Sequence, residues 1–195
     1  RRRPVVQHVL ERHVEVDRPL RHALRHLAGA DHALVERMGA RDRARPFFLY
    51  LNYTVPHAEL RAPEDAMAPF KDRFLPETPF VNAAADGRPA GAMPDGASLG
   101  YRSQPTPRAA FAAMITRMDR DIARLTDLIG ERKIDRNTLI LFVSDNGPHR
   151  EGGADPEFFR SAGGQRGIKR DLYEGGIRVP MVARWVGTIA AGRVS

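Results

Sequence analysis

Two apolar runs of strand length, set either side of one long amphipathic stretch, constrain this chain more than any other feature. Pro46-Phe-Phe-Leu-Tyr-Leu-Asn-Tyr53 and Thr138-Leu-Ile-Leu-Phe-Val-Ser144 show no alternation of apolar with polar residues. Unbroken runs of this length suit strands covered on both faces, as in a parallel sheet packed between helices. Between them Phe111, Met114, Ile115, Met118, Ile122, Leu125 and Ile129 recur near the helical period. Thr106 and Pro107 offer an N-cap and a first-turn proline, and Gly130 a helix stop. A turn at Asp135-Arg-Asn137 leads into the second run, and Ile177 to Trp185 reads as a third strand. This order predicts an α/β fold with a mixed, largely parallel sheet flanked by helices.

The remaining segments are less regular. Leu20, Leu24, Leu27, Leu34 and Met38 predict an amphipathic helix over 17–38. Residues 58–106, rich in Pro, Gly, Ala and Asp, exceed an ordinary connection and suit a functional lid or an insertion. Residues 145–176 read as a Gly-rich loop. At 195 residues, 42% hydrophobic and 28% charged, the chain is one globular domain or a large part of one. It begins at Arg1 without a signal-peptide pattern and stops just after a strand-like stretch, which reads as an internal fragment of a longer protein.

Composition excludes several classes. No apolar run approaches the ~20 residues of a membrane-spanning helix. The absence of cysteine removes disulfides, thiolate metal sites and a thiol nucleophile from this stretch. The net charge of +7 rests on arginine, with Lys71, Lys133 and Lys169 the three lysines. Eleven arginines lie in residues 1–45, yet no aromatic residue precedes Phe47. A nucleic-acid surface would interleave aromatics or carry a reading motif, so no nucleic-acid partner is expected.

In open α/β sheets, ligands bind beyond the C-terminal ends of the strands. Two such ends here carry chemistry: His57 follows the first run, and Asp145-Asn146-Gly147 follows the second. Adjacent Asp and Asn oxygens are hard donors suited to Ca²⁺ or Mg²⁺, although Asp-Asn-Gly also makes an ordinary turn. His22 and His26 sit four apart, but without an intervening acid or a third ligand they read as exposed histidines. Gly163-Gly-Gln-Arg-Gly167 lacks the Gly before and the Ser or Thr after Lys169 that a nucleotide P-loop needs.

Ser144-Asp-Asn-Gly-Pro148 at a strand end, followed by Gly167-Ile-Lys169 and Leu172-Tyr-Glu-Gly-Gly-Ile-Arg-Val-Pro180, closely resembles the sulfatase family of the alkaline phosphatase superfamily. Pro46-Phe-Phe-Leu-Tyr-Leu with Pro56-His57, and the helix over 108–130, are similar to that family too. The likeness covers 46–57 and about 107–195, and is weak over 1–45, so 1–195 reads as part of a sulfatase catalytic domain. The resemblance implies that Asp145 and Asn146 are two ligands of a divalent cation, Ca²⁺ with Mg²⁺ as the alternative. It implies that Lys169 and His57 are catalytic and substrate-binding. Lys169 would contact the sulfate, and His57 would meet the leaving oxygen as hydrogen-bond donor or general acid. The chemistry agrees, because sulfuryl transfer builds negative charge on equatorial and leaving oxygens, where a cation, an ammonium and an imidazole are electrostatic catalysts. The implied substrate is a sulfated small molecule or glycan, and the implied compartment is periplasmic or secreted.

The family's Cys/Ser-x-Pro-x-Arg motif, whose first residue becomes the formylglycine nucleophile, is not present. Ser103-Gln-Pro105 begins that pattern, but Pro107 stands where Arg is required. The nucleophile, the paired aspartates completing the metal site, and the family's middle Lys and His are therefore expected upstream. This stretch alone is expected to be inactive. His149 and Arg150 are candidates to touch substrate, whereas Glu174 and Arg178 read as holding their turn. Two alternatives stand beside the sulfatase reading: a phosphoryl or phosphonate ester hydrolase of the same superfamily, and a non-catalytic remnant of the fold.

Overall fold

The computed structural model describes residues 47–82 and 101–194. The helix expected over 17–38, with His22 and His26, lies outside the described residues. In chain order the elements are α1 (Glu64–Met67), α2 (Pro107–Glu131), β1 (Ile140–Val143), α3 (Glu174–Ile177) and β2 (Met181–Arg184), with short 3-10 turns at Ala68–Phe70, Asp135–Asn137 and Glu151–Gly153.

Helix α2 organises the rest. Its small residues Ala110 and Ala113 are fully buried, which lets Leu60 and Ala154 approach the helix around Met114 and form the core. Its start differs from the expectation. Thr106 holds the N-cap position but makes no side-chain cap; its own N–H and hydroxyl donate to Gln104 Oε1. The carboxylate of Glu77 instead accepts the N–H groups of Arg108 and Ala109, each at 3.0 Å. A full negative charge there also complements the helix dipole, which a hydroxyl cannot do. The stop differs as well. Gly130 lies inside the helix, and Lys133, at φ 57°, takes the left-handed position while its N–H donates to Gly130 O.

Strand β1 pairs antiparallel with β2, Ile140 opposite Arg184 and Val143 opposite Met181. That ladder is the sheet among the described residues, so the parallel pairing expected from the apolar runs is not found there. The Phe47–Tyr53 run lies in no ladder. The third strand begins at Met181 and not at Ile177, because Glu174–Ile177 closes a helical turn through Gly176 N–H to Tyr173 O. Burial on both faces is not met either: Phe48, Leu141 and Val143 remain more than half exposed. These side chains, with the second apolar stripe of α2 (Ile115, Met118, Ile122, Leu125), line an open cleft of about 2750 Å³. No helix among the described residues is long and apolar enough to cross a membrane.

Candidate active site

The polar residues at the end of β1 are locked to the loop ahead of α3 by backbone alone. Gly147 N–H donates to Gly176 O at 2.9 Å, Gly175 N–H to Arg166 O at 2.8 Å, and Lys169 N–H to Pro148 O at 2.8 Å. A Cβ on Gly147 would collide with the carbonyl of Gly175, and one on Gly175 with that of Gly167. Only glycine permits this approach, which is why Asp-Asn-Gly and Glu-Gly-Gly occur together in the sequence. The interlock holds the Lys169 backbone to Pro148, two residues past Asn146, although 24 positions separate Asp145 from Lys169.

His57 arrives from the other side, on the turn closed by His57 N–H to Thr54 O. Its Nδ1 donates to Ala58 O at 2.8 Å, which leaves the Nε2 lone pair to accept from Lys169 Nζ at 3.0 Å. His149 stacks on the His57 ring at 5.0 Å, and Tyr101 meets that ring edge-on. Three of the expected residues, His57, Asp145 and Asn146, line one cleft, and Lys169 is bonded to the first.

Asp145 is exposed, and neither its carboxylate nor the Asn146 amide bonds to another side chain among the described residues. Two adjacent, uncommitted hard oxygen donors fit a Ca²⁺ or Mg²⁺ ion. They do not complete its shell, and no group of three or more His, Cys, Asp or Glu among the described residues stands ready to hold a metal. The remaining ligands would come from outside the described residues or from substrate and water.

His149 is a brace and not a free ligand. Its Nε2 donates to Pro56 O, its Nδ1 accepts the Glu151 N–H, and its side chain is only 10% exposed. Burial pushes its pKa below the ordinary imidazole value, against the opposing effects of its hydrogen bond to Pro56 O and of Glu151. Arg150 turns outward and pairs with Glu157. Glu174 and Arg178 approach each other at 3.8 Å on the exposed side of α3. Glu151 escapes sequence reading altogether. Its side chain is 7% exposed and lies within 4 Å of His57, His149, Lys169 and Arg170. The one signal in the sequence is an acid two residues past a histidine, in a loop where acids and cations are mixed and nothing sets this one apart.

Comparison with known proteins decides the family. The family model described as Sulfatase matches residues 27–195. The chain belongs to the sulfatase family. Among curated sulfatases, it is 31% identical to the N-acetylgalactosamine-6-sulfatase of Canis lupus familiaris over 156 residues, covering 77% of this chain and 22% of that one. It is 36% identical to an arylsulfatase of Hemicentrotus pulcherrimus over 88 residues, 44% of this chain and 15% of the other. The crystal structure of Ps i-CgsB in complex with k-i-k-neocarrahexaose superposes with a TM-score of 0.59 at 27% identity, covering 87% of this chain and 29% of that chain. The sulfatase-like, alkaline-phosphatase-type α/β fold is thereby established at the level of architecture. The chain spans between about a sixth and a third of the length of these relatives.

Proposed function

We propose that the whole protein containing this chain hydrolyses sulfate monoesters, releasing an alcohol and inorganic sulfate. The observation that carries the reading is the 3.0 Å contact between Lys169 Nζ and His57 Nε2, on a lysine whose backbone N–H is held by Pro148 O, just past Asp145-Asn146. In this arrangement the ammonium donates towards Nε2, so the pair jointly holds a proton at the place where a leaving oxygen would take it. Lys169 also supplies positive charge to sulfate oxygens, whichever group leaves. Asp145 and Asn146 would hold the divalent cation, Ca²⁺ or Mg²⁺. When bound, the cation supplies Lewis-acid stabilisation of the charge on the sulfuryl group. The nucleophile, a formylglycine by family resemblance, belongs to residues outside this chain.

A sulfated glycan is the substrate class we favour, because a solved relative at 27% identity holds an oligosaccharide, k-i-k-neocarrahexaose. The test is hydrolysis by the purified full-length protein of an aryl sulfate, a sulfated oligosaccharide, a phosphate diester and a phosphonate ester. Turnover of the two sulfates and not of the phosphorus esters is expected. The opposite preference would assign the protein to another branch of the superfamily, and no turnover with an intact nucleophile motif would mark a non-catalytic relative.

A further inference from the structure

Glu151 has no part in the chemistry just described, yet it sits at the centre of the cluster. Its Oε1 lies 2.8 Å from Arg170 Nη2. Its Oε2 lies 3.1 Å from His149 Nδ1, 3.8 Å from Lys169 Nζ and 3.9 Å from His57 Nε2, and it has no hydrogen-bond partner. A buried carboxylate oxygen without a donor carries a desolvation cost that an ordinary fold avoids. His149 does not relieve it, since the Nδ1 lone pair is taken by the Glu151 backbone N–H. The groups able to do so are Lys169 and a protonated His57.

Those two groups conflict without it. If His57 takes a second proton at Nε2 while Lys169 stays an ammonium, two like charges face each other across 3.0 Å. One carboxylate within 4 Å of both offsets that repulsion. We propose that Glu151 is a positioning residue: the shared counter-ion that lets Lys169 and His57 carry protons at the same time. The other groups facing His57 are His149 from the loop after β1, Tyr101 from the segment before α2, and Lys169 with Arg170 beyond it from the loop before α3. Glu59, two residues along, is engaged by Arg61. The consequence for catalysis rests on the sulfatase reading, whereas the consequence for ionisation does not.

The test is a pH titration of the His57 imidazole by ¹H–¹⁵N NMR in the full-length protein, with its signal assigned through His57→Gln. In Glu151→Gln the midpoint is expected to fall by about 1–3 units, as removal of an opposite charge at this range does. Glu151→Asp should restore most of the difference. Lys169→Met should raise the midpoint, because Glu151 then faces His57 without a competing cation. On an alkyl sulfate, the basic limb of kcat/KM should move down in Glu151→Gln by the same amount, which a general loss of packing would not produce. An unchanged midpoint in Glu151→Gln overturns the proposal; should that variant not fold, an unchanged midpoint in Lys169→Met does so. A shifted midpoint in a protein that cleaves no sulfate ester would support the counter-ion role and overturn the sulfatase reading instead.

Discussion

The polar corner beyond β1 and the apolar cleft beside it are built on opposite terms. In the corner, residues 144–178 pin each other through backbone hydrogen bonds at glycines and through charges gathered around one buried carboxylate. In the cleft, Phe48, Tyr50, Leu141 and Val143 have the composition of a sheet interior and stand more than half exposed. The corner's backbone is satisfied largely within residues 144–178, while His57 and Pro56 reach it from far away in sequence. The cleft would be satisfied only by pairing partners that are not among the described residues. Local encoding builds the Asp145–Lys169 side of the site; His57 joins it from 112 positions away, and the sheet beside it also depends on distant pairing.

Substitutions in the corner should therefore act on chemistry first. His57→Ala in the full-length enzyme should slow alkyl and sugar sulfates by on the order of 10²–10⁴-fold and activated aryl sulfates far less, because only a poor leaving group needs the proton. Lys169→Ala should slow both classes, by on the order of 10²–10³-fold, since charge on the sulfate oxygens is present whatever leaves. The measurement is kcat/KM across leaving groups of graded pKa. An equal loss across the series for His57→Ala would mean that it binds sulfate and gives no proton.

The glycines sharpen the contrast on stability. Gly147→Ala drives a methyl into the Gly175 carbonyl and should cost about 3 kcal/mol, read by denaturant unfolding, with Lys169 displaced from the turn. Gly130, on α2, should behave in the opposite way, because a methyl group there would meet nothing within 4 Å beyond its chain neighbours and its own helix backbone. Gly130→Ala is expected to stabilise by about 0.5–1 kcal/mol, the ordinary helix preference. Equal effects at the two positions would erase the distinction between a packed backbone and a free one.

Much of this is legible in the residues, and what is not has physical causes. The Asp145-Asn146 and Lys169 placements follow from Gly147, Gly175 and Gly176, whose types report a backbone contact directly. Helix α2 is readable from its periodicity, but its cap is not, because Glu77 reaches Arg108 and Ala109 from 31 and 32 residues away. Gly130 is a misleading stop because residues other than glycine can take a single left-handed position, and Lys133 does. The apolar runs identify strand-forming segments without revealing which strands pair, as a run without alternation carries no register. Glu151 stays hidden because a single acid has no period and no motif; its burial is a property of the assembled loop.

A smaller effect distinguishes His149 from the surface. Its folded-state pKa is lowered by burial, so the unfolded chain takes up the proton first as pH falls. Stability contributed by neutral His149 should be complete above the unfolded value of about 6.5 and should decline as pH drops from there towards the depressed folded value, by at most about 1.4 kcal/mol per pH unit. The difference between wild type and His149→Gln across pH 7 to 5 isolates this contribution from the other histidines. A pH-independent difference would show that the imidazole is not buried as neutral.

In the proposed function, Asp145 and Asn146 hold a cation on which sulfate ester hydrolysis depends. Calorimetric Ca²⁺ binding and aryl sulfate turnover by the full-length protein, before and after chelation and in Asp145→Ala, test it most directly. Turnover that chelation abolishes and Ca²⁺ restores is expected, with both binding and turnover lost, the latter by at least on the order of 10²-fold, in Asp145→Ala. Unchanged Ca²⁺ affinity and unchanged turnover in that variant would show that Asp-Asn-Gly is a turn and nothing more.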